Sequence, residues 1–177
     1  MKWLLFSYKV PSDSSTARVT VWRKVKKMGA LYLQQSVCIV PYNKDFLNKV
    51  EILKNEISKL NGDFYSFITE TTEDEIEKNI IEKFNKQRIE EYLEVKEQCE
   101  AFFREIKAEI GRSNLTYAEL EENEDELNKL HKWFDNIEKR DIFNTEIKNE
   151  VKTLLEKADK DFDLFASLVY EKYKKNE

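Results

Sequence analysis

The sequence has few of the residues on which catalysis, metal binding or disulfide bonding usually depends. Its 177 residues include one histidine and two cysteines. Cys38 and Cys99 stand among apolar neighbours, lack metal-ligand spacing and predict reduced thiols in a core. His131 lies on an amphipathic helix pattern beside two lysines, which favours a surface residue over a base or ligand. We therefore expect no catalytic residue, no metal, no cofactor and no enzymatic activity.

Glycine and long apolar runs are also scarce. The three glycines, Gly29, Gly62 and Gly111, each stand at the end of a predicted helix, which leaves none for a phosphate-binding loop. No segment approaches the roughly 20 apolar residues that a membrane span requires. The apolar start, Met1–Phe6, is too short for a secretory leader and lacks a cleavage site. We expect a cytoplasmic protein without a membrane segment.

Charged residues are abundant but unevenly distributed. They make up 37% of the sequence, and the net charge is -5. Residues 1–62 carry 11 Lys and Arg against 4 Asp and Glu, whereas the remainder carries 19 against 31. A basic first part joined to an acidic second part indicates an anionic partner for the first. A charged face that contacts only solvent is the alternative interpretation.

Residues 1–71 predict a ferredoxin-like βαββαβ domain, in which two helices cover one face of an antiparallel sheet. Apolar alternation marks the strands, and a four-three apolar spacing marks the second helix. The predicted elements are a strand over Trp3–Val10, a helix over about Ser14–Met28, strands over Ala30–Leu33 and Ser36–Val40, a helix from about Lys44 that Gly62 ends, and a strand over Asp63–Thr69.

Residues 72–177 predict an extension of three long helices in an antiparallel bundle, so that the whole chain is of the α+β class. Helical periodicity runs from Thr72 to Ile110, Thr116–Glu119 is a capping box for the next helix, and a third spans about Thr145–Lys174. One polar break interrupts the first apolar stripe. There Arg88 and Glu91 lie one turn apart and predict an ion pair, with a ligand site as the alternative.

The predicted first helix carries the candidate nucleic-acid-binding residues. At 100° per residue, its apolar side chains share one arc, and basic side chains occupy the rest of the circumference. The apolar arc consists of Val21, Trp22, Val25 and Met28, and the basic arc of Arg23, Lys24, Lys26 and Lys27. Lysine and arginine on one helix face are typical of phosphate contacts that tolerate many nucleic-acid sequences.

The start of the same helix is a candidate anion site. The backbone N–H groups of Ser14, Ser15 and Thr16 are expected to be free at the helix N-terminus, and Arg18 projects between Val25 and Trp22 on the apolar side. Ser14, Ser15 and Arg18 are therefore the candidate residues for binding an oxyanion such as chromate or phosphate. In the alternative interpretation, Arg18 extends its stem over the sheet and pairs with a carboxylate or carbonyl. A capping carboxylate from Asp13 would compete with an anion.

Six segments resemble one known family. They are W-L-L-F-S-Y-K-V-P (Trp3–Pro11), A-R-V-T-V-W-R-K (Ala17–Lys24), G-A-L-Y-L-Q-Q-S-V-C-I-V-P (Gly29–Pro41), F-N-x-x-R-x-x-E-Y (Phe84–Tyr92), L-T-Y-A-E-L-E-E (Leu115–Glu122) and W-F-D-N-I-E-K-R-D-I-F (Trp133–Phe143). Together they resemble the N-terminal domain and helical extension of ChrB-type chromate-resistance regulators. The resemblance implies a role in chromate-responsive regulation, with DNA as a partner. Full-length members carry a further C-terminal domain, so chromate sensing by this chain alone is not expected.

A more remote resemblance is to the ferredoxin-like domain of PaaX-type repressors and of small CRISPR-associated nucleases. Those nucleases place an aspartate after the aromatic residue that ends the first strand, whereas Lys9 follows Tyr8 here. Because a lysine repels the cation that such a nuclease needs, we expect binding without cleavage. The alternative function is a protein-interaction scaffold that binds partners through its acidic helices, while the exposed sheet edges of its first domain pair to form a homodimer.

Overall fold

A computed structural model describes residues 1–11 and 14–174, which divide between two compact units, Met1–Phe84 and Asn85–Glu177. The fold is mixed α+β, as predicted, with a four-stranded antiparallel sheet and long helices. In chain order the elements are β1 (Trp3–Lys9), α1 (Ser15–Met28), β2 (Leu31–Gln34), β3 (Val37–Pro41), α2 (Lys44–Lys59), β4 (Asp63–Thr69), α3 (Asp74–Gly111), α4 (Tyr117–Glu138) and α5 (Ile147–Lys174).

The sheet has the strand order β2-β3-β1-β4, so β1 lies inside it and β2 and β4 form its two edges. Strand β1 pairs with β3 and with β4, and every pair is antiparallel. Residues opposite one another share a face, and Leu4, Phe6, Cys38 and Val40 form a buried apolar layer on one face. Helix α2 packs against β1 and β4, and α1 packs against α2.

Local capping residues set the bounds of α1 and α2. The Ser14 hydroxyl accepts from the Ala17 N–H at the start of α1, and Gly29 ends this helix in the left-handed conformation that glycine adopts without strain. At the end of α2 the left-handed residue is Asn61, with φ of 55°, so the prediction that Gly62 ends this helix was wrong. Gly62 is required for a different reason, since a Cβ there would lie 2.4 Å from the Lys9 carbonyl oxygen.

The first unit includes the first turns of α3. The ring of Trp3 stacks on Phe84 at 6.1 Å between centroids, and the amino terminus of Met1 pairs with Glu77. Trp3 and Leu4 point to opposite faces of β1, and both are fully buried. The boundary between the units therefore lies within α3, 13 residues beyond the end of the predicted 1–71 domain. The predicted boundary follows the change in sequence pattern, whereas these contacts continue into the helix.

In the second unit, α3, α4 and α5 contribute to one hydrophobic core that includes Tyr92, Phe102, Phe134 and Phe165. Helix α4 begins with the predicted cap, because the Thr116 hydroxyl accepts from the Glu119 N–H at 3.2 Å. Two long-range contacts give the helix directions. Arg140, just after α4, bonds to Glu91 of α3, and Lys172 near the end of α5 bonds to the Ser113 carbonyl just after α3. The three helices thus alternate in direction.

Candidate nucleic-acid interface on helix α1

Helix α1 turns one arc toward the core and the rest of its surface toward solvent. Its buried residues are Ala17, Val21, Val25 and Met28, which recur at helical spacing. The prediction that Trp22 belongs to the buried arc was wrong, since its side chain is 45% exposed. Trp22 lies at the border of the arc, where packing against the neighbouring elements decides which side chains are covered.

All four predicted nucleic-acid-binding residues are exposed to solvent, and three of them form one set. Arg23, Lys26 and Lys27 are exposed, and we call this set the α1 basic face. The Lys26 ammonium lies 4.9 Å above the ring of Trp22, within the range of a cation–π contact. Helix α1 contains no acidic residue that would neutralise the face. Lys24 differs, because its ammonium pairs with Glu56 of α2 and so helps to join the two helices.

A shallow groove of about 270 Å³ runs along the exposed side of α1. It is lined by Ser15, Thr16, Val19, Thr20 and Arg23. Three hydroxyl groups and one guanidinium group are typical donors to phosphate oxygens. The groove joins Ser15, predicted for anion binding, to Arg23, predicted for nucleic-acid binding. Thr20 was not predicted, although its spacing of three residues from Arg23 puts it on the same face, and Thr16 was predicted only for its backbone N–H group in the anion site.

The three residues predicted to bind an anion lie in the first turn of α1 but have different surroundings. The Ser14 hydroxyl caps the helix by accepting a hydrogen bond from the Ala17 N–H. One of the backbone N–H groups that an anion would need at the helix N-terminus is therefore already hydrogen-bonded. Arg18 is exposed. Ser15 is exposed and lines the groove. Asp13, the predicted competing cap, lies outside the described residues.

The polar break in α3 forms a second charged cluster, within the second unit. The predicted ion pair is confirmed, since Arg88 Nη2 lies 3.3 Å from Glu91 Oε1. Arg140 Nη2 approaches the other oxygen of Glu91 at 3.0 Å, so one carboxylate serves two guanidinium groups. Burial lowers the pKa of Arg88, and the nearby charge of Glu91 raises it. Asp141 beside the cluster accepts from the Thr145 backbone and hydroxyl. This network fixes side chains inside the unit.

A family model described as the N-terminal region of protein ChrB matches residues 18–176. The chain belongs to the ChrB N-terminal family. The match runs from α1 to the end of α5, so the α1 basic face lies within the family domain. Membership confirms the predicted resemblance and associates the chain with chromate resistance. No curated protein matches the sequence. Among residues 1–11 and 14–174, none of the helices has the length and apolarity needed to cross a bilayer.

Proposed function

We propose that the chain is a non-enzymatic regulatory module of a chromate-resistance system that acts in the cytoplasm and binds DNA through α1. The observation that carries this proposal is the α1 basic face. Arg23, Lys26 and Lys27 are exposed together on a helix without acidic residues, although the whole chain has a net charge of -5. Positive charge concentrated on one helix of an acidic protein favours a polyanion at that surface over a general attraction to the chain.

The donors around Arg23 support contact with the phosphate backbone. The guanidinium group of Arg23 and the hydroxyls of Thr16 and Thr20 line one groove, and each is a hydrogen-bond donor to phosphate oxygens. Chromate and phosphate are tetrahedral oxyanions with equivalent acceptor oxygens, so chromate can use the same donors. Oxyanion binding by Ser14, Ser15 and Arg18 at the start of α1 is therefore the second candidate function, and Ser15 in the groove favours it.

We also infer that the first unit has the ferredoxin-like plan. The element order β1-α1-β2-β3-α2-β4 and the position of β1 inside an antiparallel sheet support this plan. It presents α1 as a helix with one packed side and one free side. A helix held in this way can approach a nucleic-acid groove without unfolding any part of the sheet.

Binding without cleavage is supported by Lys9, the last residue of β1. The remotely similar nucleases place an aspartate after the aromatic residue at the end of the first strand. Here Tyr8 is followed by a lysine, and its positive charge disfavours the divalent cation that a metal-dependent nuclease requires.

Fluorescence anisotropy with a labelled DNA duplex at two salt concentrations tests the proposal. We expect wild-type affinity to fall steeply with salt, because each phosphate contact contributes about 0.9 to the slope of log affinity against log salt concentration. The double variant R23E/K27E should lose measurable binding at low salt. An excess of chromate should compete with the duplex more strongly than sulfate if the groove also receives an inducer.

A matched control distinguishes the effect of charge reversal on the α1 basic face from the effect of a change in net charge. The double variant K44E/K54E makes the same change in charge on α2, within the same unit. We expect it to bind DNA nearly as well as the wild type. An equal loss of binding in both double variants would contradict the assignment to α1, and no binding by the wild type at low salt would contradict the proposal as a whole.

A further inference from the structure

Strand β4 forms a long edge of the sheet in the first unit. All seven of its residues, Asp63–Thr69, pair with β1 in continuous register. On its other side, β4 pairs with no strand among residues 1–11 and 14–174. A strand with one unpaired side presents a row of backbone N–H and C=O groups that can bind another strand.

The two edges of the sheet differ in how they oppose such pairing. Strand β2, at the far edge, has four residues and an irregular register between Tyr32 and Gln34. Strand β4 is longer, regular and free of proline, and no residue between Phe64 and Thr69 is charged. Short strands, bulges, prolines and charges are the features by which proteins block edge pairing. The β2 edge therefore has protection that the β4 edge lacks.

The side chains of β4 also favour a covered edge. Tyr65, Phe67 and Ile68 are 61%, 57% and 55% exposed, an unusual concentration of large apolar side chains within four residues. Tyr65 and Phe67 lie on the same face of the strand, since they are two residues apart. Ser66 between them lies on the opposite face and is exposed as well.

The sequence of β4 is self-complementary about its central residue. When two antiparallel copies pair with Ser66 opposite Ser66, Tyr65 of each copy lies opposite Phe67 of the other. The same register places Phe64 opposite Ile68. Opposed aromatic and apolar pairs contribute roughly 0.2–1 kcal/mol each. All seven residues then overlap, and no two like charges are opposite each other.

Neighbouring registers are less favourable. Centring the pair on Phe67 would place the Glu70 carboxylate opposite Phe64, and centring it on Tyr65 would place Asp63 opposite Phe67. Both registers bring a charge against an aromatic ring and shorten the apolar overlap. The pattern of β4 thus favours a second copy of this chain, in one register, over an unrelated strand.

We propose that two copies of the chain pair through their β4 edges, antiparallel and about a twofold axis at Ser66, to form one continuous eight-stranded sheet. The interface is isologous, since the same surface of each copy binds the other. It buries the exposed side chains of Tyr65, Phe67 and Ile68 at the seam. This dimer does not depend on nucleic-acid binding, because α1 contributes no residue to it.

Sedimentation velocity tests the dimer. We expect the wild type to approach twice its chain mass of 21.2 kDa as its concentration rises. The variant Y65K/F67K should remain a monomer, because each new lysine lies opposite a lysine of the other copy. The variant Y65E/F67E should also remain a monomer. An equimolar mixture of the two should recover the dimer mass, a result that a folding defect in either variant cannot produce.

The control is Ile52→Lys, which places the same charge on an equally exposed apolar residue of α2 and should leave the dimer unchanged. A short bismaleimide should cross-link Ser66→Cys to itself, whereas Ser58→Cys on α2 should stay uncross-linked. The native thiols, Cys38 and Cys99, are buried and add little background. A wild type that stays monomeric at every concentration, or a mixture of the charged variants that does not associate, would overturn the proposal.

Discussion

Lys24 of α1 forms an ion pair with Glu56 of α2, and this contact distinguishes it from Arg23, Lys26 and Lys27 of the same helix. The sequence pattern places Lys24 in the same basic arc of the helix as Arg23, Lys26 and Lys27. In the structure its ammonium group has a carboxylate partner, whereas the others face solvent on a helix that has no acidic residue. The pair thus divides one basic segment into a structural residue and a candidate binding surface.

Lys24→Ala and Lys27→Ala are expected to have different effects. Lys24→Ala should lower the free energy of unfolding slightly, by about 0.2–1 kcal/mol, because its ion pair is partly exposed. It should change DNA affinity little. Lys27→Ala should leave stability within about 0.5 kcal/mol of the wild type and weaken DNA binding with a shallower salt dependence. Urea denaturation and anisotropy on both variants measure this, and a greater loss of affinity for Lys24→Ala would contradict it.

Removing Arg88 should cost less stability than neutralising Glu91. Arg88 is 7% exposed, and its Nε and Nη1 have no hydrogen-bond partner among the described residues. In Arg88→Met an apolar side chain replaces a buried charge, and Glu91 keeps Arg140 as its partner. We expect the free energy of unfolding to stay within about 1 kcal/mol of the wild type or to rise.

Glu91→Gln is the matched variant, because it leaves two guanidinium groups without their carboxylate. We expect a loss of about 2 kcal/mol, below the range for fully buried pairs because Glu91 is partly exposed. Denaturant titrations of both variants with equal m-values test the order. If Arg88→Met proved the more destabilising, Arg88 would have a partner or a packing role beyond Glu91.

The Cys38 thiol should make stability fall at alkaline pH. Burial raises the pKa of Cys38 from its ordinary value of 9.0 to about 12, while the hydrogen bond with Tyr32 acts in the opposite direction. Above pH 9.0 the unfolded thiol ionises and the folded thiol does not, so protons leave on unfolding. The free energy of unfolding should therefore fall between about pH 9 and pH 12, by at most about 1.4 kcal/mol per pH unit from this group.

Urea titrations at pH 8 and pH 10 on wild type and Cys38→Ala measure that fall. The variant lacks the thiol, so its free energy of unfolding should decline less between the two pH values, although lost packing lowers it at both. The nearby Tyr8 and Tyr32 hydroxyls, 2.9 Å apart, are present in both proteins. Equal declines would show that other buried groups, the two tyrosines or the Cys99 thiol, account for the alkaline sensitivity and that Cys38 does not.

Most element bounds could be predicted from the sequence because they depend on local interactions. Apolar spacing marked α2 and α5, Thr116 marked the start of α4, and Gly29 marked the end of α1. The residue that ends α2 could not be predicted from local sequence in this way. Glycine is the usual left-handed residue, yet Asn61 adopts that conformation here, and Gly62 is needed where the chain approaches Lys9.

The candidate site was also predicted only in part, because the sequence pattern reports local interactions and not tertiary packing. Helical periodicity was sufficient to place Arg23, Lys26 and Lys27 away from the buried arc. It could not show that Trp22 is exposed, because that depends on how far the neighbouring elements extend over the border of the arc. It also could not show that one groove joins Ser15 to Arg23, because the shape of a surface depends on the positions of side chains in three dimensions.

The sequence by itself determined which segments form helices and strands, which face of each is apolar and where charge accumulates, because these properties repeat with the period of the backbone. Only the tertiary structure decided that Lys24 meets Glu56, that α3 begins in one unit and continues in the next, and that β4 is a sheet edge. Each of these depends on residues far apart in the chain that packing brings together, and no local pattern encodes that pairing.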